Sequence, residues 1–189
     1  VFNAATIFWS QALASPPERG DEQRAQMLAG GENELAKRMQ SVIEIVLEDG
    51  TTVVFPQILE DVKKDMEAAG ARLAKIDAGP GTQLIQLEIE RALAEILQAI
   101  QEAQKKPSPP QPPQPGNPRA SAGPLLPSST ELRMIRDMEA RVRDGTKAVD
   151  ATRKDGALPP ARKSDLQRVQ QKQVLVEELT TKLARRVGM

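Results

Sequence analysis

"PQILEDVKKDMEAAGARLAKI", residues 56–76, carries Val62, Met66, Ala69, Leu73 and Ile76 at steps of four, three, four and three. A half-buried strand needs alternation with a period of two, so this spacing predicts a helix from Pro56 to Ile76 with one narrow apolar seam for another helix. Pro56 suits the first turn, where a missing N–H costs no bond. Glu60, Asp61, Asp65 and Glu67 lie on the same helix, and carboxylates four apart can share a cation or act as an acid/base pair. Val62 and Met66 occupy the buried face here and Lys63 and Lys64 intervene, so these acids are expected on solvent.

The same period extends to both sides. Upstream, Leu35, Met39, Val42, Ile43, Val46 and Leu47 predict a helix over Glu34–Asp49, ended by "EDGTT". A weaker stretch over 21–28 continues it toward the N-terminus, with "AGG" at 29–31 expected to break or kink it. "TTVVF" at 51–55 is rich in β-branched residues, but a lone strand has no partner elsewhere, so it reads as a loop or a helix entry.

Downstream, "DAGPGT" at 77–82 is a turn. It lacks the G-x-x-x-x-G-K-[ST] spacing and the preceding strand of a phosphate loop. Thr82 is expected to cap a third helix to about Lys106, with Ile85, Ile89, Leu93, Ile96, Ile100 and Ala103 inward. Short turns make neighbouring helices antiparallel, so residues 18–106 are expected to form an acidic three-helix bundle.

Nine prolines between Pro107 and Pro127 stop helix and central strand alike. Residues 107–127 therefore read as a linker, and as polyproline II it would reach about 60 Å. It offers P-x-x-P registers to an aromatic-lined groove, but only Lys105 and Lys106 flank them, so a spacer is the plainer role.

Beyond it, Ser128 with Glu131 and Ser164 with Gln167 match the S-x-x-[EQ] capping box and predict two helix starts. Leu132, Ile135, Met138, Val142 and Val149 mark the inner face of one helix; Leu166, Val169, Val176, Leu179, Leu183 and Val187 mark that of the other. Residues 128–189 thus read as a helical hairpin, too thin to bury much without further partners. The fold class is all-α: antiparallel bundle and coiled-coil-like hairpins in two modules.

Composition narrows the chemistry. With no His and no Cys, imidazole bases, thiol nucleophiles, thiolate zinc sites and disulfides are all excluded. No catalytic residue, cofactor or metal ligand is expected, and the nearest enzyme alternative would rely on carboxylates or Ser/Lys alone. Residues 1–106 carry 11 basic against 17 acidic residues and residues 128–189 carry 14 against 9, so the two parts are oppositely charged. That asymmetry favours protein partners for each part. Acids interspersed in the basic hairpin and the lack of aromatics for base stacking argue against nucleic acid, and no small-molecule substrate is expected.

Glu131, Leu132, Met134, Ile135, Arg136 and Arg141 form a segment that resembles the E-L-[KR]-M-[IL]-R helix of large uncharacterised bacterial envelope proteins, in which it follows a Pro/Gln-rich linker and a helical region like Phe55–Lys106. Where those proteins carry Asn after the Arg-Val pair, Arg143 and Asp144 stand here. The resemblance implies this architecture and an envelope or periplasmic setting, with no catalytic residues; the cytoplasm is the other compartment that suits a cysteine-free chain.

Phe2, Phe8 and Trp9 are three of the four aromatic residues in the chain. "ALAS" at 12–15 is similar to a signal-peptidase site, but no basic residue precedes it and the apolar run is too short to cross a bilayer. The first residue is Val, as in a processed chain or a fragment. Residues 1–17 are expected to form a short helix stopped by Pro16 and Pro17, with Phe2, Thr6, Trp9 and Leu13 along one face. That face packs on the chain's own first bundle or docks on another subunit, so Phe2, Phe8, Trp9 and Leu13 are the candidate partner-binding residues. The expected function is a non-catalytic structural or adaptor subunit, with an accessory subunit of an envelope energy-transducing complex as the alternative. The expected partners are other protein subunits, membrane-associated ones included, or a second copy.

Overall fold

A computed structural model describes residues 2–13, 17–105, 124–153 and 156–188. Among them run six α-helices: α1 Phe2–Ala12, α2 Arg19–Asp49, α3 Phe55–Leu73, α4 Pro80–Lys105, α5 Ser128–Asp150 and α6 Lys163–Val187. The chain is all-α, as the seams require. The expected linker lies outside the described residues apart from 124–127. Two compact units form, one from Val1–Glu44 and Leu59–Leu93, the other from Ile45–Ile58 and Ala94–Met189.

In the first unit α2 does not break at the glycines. Ala25, Leu28 and Ala29 before them and Ala36 after them are all buried, so tertiary packing on both sides outweighs the local propensity cost of two glycines. On α3 the seam is as read: Val62, Met66, Ala69 and Leu73 are each at most 2 % exposed. Asp65 is buried as well, against the expectation of a solvated acid, because it lies one turn from Val62 and Ala69 on the inner stripe. Gly70 sits where a Cβ would lie 2.8 Å from Asn33 Oδ1 and 3.3 Å from the Ala29 carbonyl oxygen, so α2 and α3 approach with no room for a side chain.

α3 ends three residues earlier than the seam implied. Asp77 N–H donates to the Arg72 carbonyl and Ile76 N–H to that of Leu73, the two bonds of a Schellman stop, with Ile76 in the left-handed region at φ 60°. Glycine normally fills that place. A β-branched side chain is held there because Ile76 packs on the core cluster of Trp9, Ala25, Leu28, Ala29, Leu73 and Ala78. α4 then starts at Pro80, and Thr82 lies inside its first turn. Its hydroxyl donates to the Asp77 carbonyl at 2.7 Å, so it ties down the turn instead of capping the helix.

In the second unit α5 and α6 run antiparallel, linked by Gln173–Glu139 near the middle of both helices and by Arg186–Glu131 toward one end. The N-cap residues are Pro127 and Arg162 and not the serines of the expected capping boxes, and neither N-cap residue makes a side-chain capping bond. Glu131 has a different task. It is fully buried, on the same stripe as Ile135, Met138 and Val142, and its Oε1 accepts the N–H groups of Val53 and Val54 at 2.8 and 2.9 Å. Arg186 Nη1 donates to Glu131 Oε2 at 3.0 Å and its Nη2 to the Thr51 carbonyl. Leu125 N–H donates to Thr51 Oγ1 at 2.8 Å. The stretch, expected as a loop or helix entry, is a non-helical loop, and several of its polar groups are met by residues over seventy positions away.

Glu131→Ala would leave two N–H groups in the interior without an acceptor. Given about 1–3 kcal/mol for each stranded buried group, it is expected to destabilise the protein by about 3 kcal/mol or more, with Glu131→Gln milder. Urea unfolding followed by circular dichroism measures both. Gly70→Val is expected to cost about 2 kcal/mol by overpacking α2 against α3, although Gly→Val in an open helix would be nearly neutral or favourable.

Candidate functional site

The aromatic segment folds as the helix α1, and the structure divides the face expected of it. Trp9 is 2 % exposed and belongs to the core cluster of its own unit, with Leu13 packed against that cluster. Its indole N–H donates to Asp21 Oδ1 at 2.9 Å. Asp21 Oδ2 accepts the Glu18 N–H at 3.0 Å, so one carboxylate in the first turn of α2 both closes that helix start and anchors the tryptophan. An acid there also suits the positive end of the helix. Gln83 Nε2 donates to Ser10 Oγ at 3.0 Å and so fastens α1 to α4. Trp9 and Leu13 are therefore internal, whereas Phe8 is 74 % exposed and Ile7 lies beside it at the surface. The Phe2 side chain lies outside the described residues.

A second apolar surface lies in the second unit. Leu132 of α5 with Leu183, Ala184 and Val187 of α6 line a groove of about 250 Å³, closed by Ser128 and Thr180. Leu132 and Val187 were read as inward-facing, but both are substantially exposed. Glu131 takes the inward position on α5 and turns Leu132 outward, while α6 ends at Val187, with Gly188 capping it at φ 78°.

Between α4 and α5 the contacts are ionic. Arg141 pairs with Glu95, and Arg133 with Glu102. Gln98 and Arg133 both donate to Glu102 and hold its carboxyl below the usual carboxylate range. A polar cavity of about 280 Å³ beside them is lined by Glu95, Gln98, Arg133, Arg136 and Asp137. The cations facing these carboxylates on α5 are bound as structural partners. Among the described residues no group of three Asp or Glu is placed to hold a metal ion.

Trp9→Ala is expected to lower the stability of the purified chain by about 3–5 kcal/mol, because it empties a core site and removes the indole donor from Asp21, whereas Phe8→Ala should change it by no more than about 0.5 kcal/mol. Thermal unfolding of the two variants side by side tests this division. No family model, no curated protein and no solved structure matches this chain.

Proposed function

We propose that the chain is a non-catalytic structural or adaptor subunit, which binds partner proteins through apolar positions left exposed on its helices. The observation that carries this reading is the groove of Leu132, Leu183, Ala184 and Val187, a concave apolar surface between two helices of the kind that receives an amphipathic segment. Exposed Phe8 adds a second apolar contact point on the other unit. Both are large enough to anchor a binding partner and small enough to be tolerated at the surface of the unbound chain.

The envelope resemblance of the α5 segment supports an assembly in the bacterial envelope or periplasm. No helix among the described residues is long and apolar enough to cross a membrane, so attachment to a membrane complex through these helices would run by way of a partner subunit.

Leu132→Asp with Val187→Asp is expected to keep the helical circular dichroism signal while shifting the tagged protein, expressed in its source cells, from a large native complex to the size of the free chain. Unchanged complex size for the double variant would remove the groove from the assembly and with it the support for this reading.

A further inference from the structure

Glu32 lies on α2 directly after the two glycines, and it is 2 % exposed. Its Oε1 accepts a hydrogen bond from Nε2 of Gln86 on α4 at 2.7 Å, and Gln86 is 2 % exposed as well. The other end of that carboxamide is unmet: Gln86 Oε1 has no hydrogen-bond partner among the described residues. An ionised carboxylate offers only acceptors and cannot satisfy it. A protonated carboxyl has one O–H, and acid and carboxamide then pair in both directions, N–H to carbonyl and O–H to carbonyl. A neutral Glu32 therefore brings the O–H donor that a charged one lacks.

The surroundings act in the same sense. Burial is the largest influence and raises the proton affinity of Glu32; the Gln86 donor lowers it, and the carboxylate of Glu90 on α4 raises it again. The result lies above the ordinary value of 4.5. On α3, Gly70 abuts Asn33, the residue next to Glu32, and brings no charge.

We propose that Glu32 and Gln86 form a proton-operated latch between α2 and α4 of the first unit, closed as a two-way acid–amide pair when Glu32 holds its proton and loosened when the proton leaves. In the folded state Glu32 keeps its proton at a pH where the unfolded chain has lost it. The stabilisation is therefore complete below pH 4.5 and is lost as pH rises through the folded-state value. Glu102, held in the opposite direction, contributes above its unfolded value and loses that contribution on acidification, so the two acids oppose each other.

The test uses the full chain and Glu32→Gln, which retains two-way pairing with Gln86 at every pH. Carboxyl ¹³C NMR, with the Glu32 signal assigned by its loss in E32Q, should show this carboxyl titrating above the other glutamates. Urea unfolding from about pH 4 to about pH 8 should show the wild-type chain losing stability relative to E32Q, tenfold in the unfolding constant for each pH unit by which Glu32 titrates above its unfolded value. A Glu32 carboxyl that titrates with the rest overturns the latch, and so does a wild-type to E32Q difference that stays constant with pH. Should E32Q fail to fold, the signal is assigned from Gln86→Glu perturbation and the wild-type titration decides alone.

Discussion

Irregular backbone in a protein interior must find hydrogen-bond partners, and the second unit is organised around that requirement at Thr51–Val54. The end of α2 and the start of α3 are joined by the five residues Gly50–Val54, of which Thr51, Thr52, Val53 and Val54 are β-branched. Glu131 supplies acceptors for two of their N–H groups, Arg186 a donor for one carbonyl, and Thr51 a side-chain oxygen for the Leu125 N–H. A buried carboxylate on an apolar stripe costs desolvation unless it is paired and hydrogen-bonded, and here it is both. The register of α5 against α6 follows, since only one alignment brings Arg186 to Glu131. The outward turn of Leu132 follows in turn, and with it the groove.

The first unit meets a comparable constraint with fewer charges. A chain so poor in aromatics relies on close helix approach, with Ala25, Ala29, Ala69 and Gly70 near the contacts and one tryptophan for bulk. An indole carries an N–H that has to be met when it is buried. Asp21 meets it while completing the start of α2, so the orientation of α1 and the beginning of α2 are set by the same side chain.

Much of the secondary structure is legible in the sequence, because four-three spacing over twenty residues admits few alternatives. Val62, Met66, Ala69 and Leu73 are buried as their period implies. What local pattern could not reveal is long-range. The S-x-x-E string at Ser128–Glu131 has the composition of a local cap, yet Glu131 also stands seven residues before Met138 and fourteen before Gly145, on the buried heptad line; that second register was the available signal. "AGG" has the local signature of a break, and only the flanking buried alanines and leucine overrule it. For the candidate site, the helix at Phe2–Ala12 was legible but the division within it was not: whether Trp9 or Phe8 turns inward depends on Asp21, twelve positions on, a pairing that no helical period marks. The groove was hidden for the same reason as Glu131, since Leu132 fits the apolar period and is displaced from it by its neighbour.

The partition of the chain into two units bears on how the protein comes into being at the ribosome. Every segment of the first unit precedes Ala94, so its contacts can all form while the C-terminal half is still being made. The loop at Thr51–Val54 is synthesised early but acquires Glu131 only after some seventy-five further residues, and Arg186 only after one hundred and thirty-five residues beyond Thr51. Until then its β-branched residues lack those partners, and unpaired backbone of that kind is prone to intermolecular pairing. The last turn of α6 therefore supplies the last of this loop's partners to be synthesised.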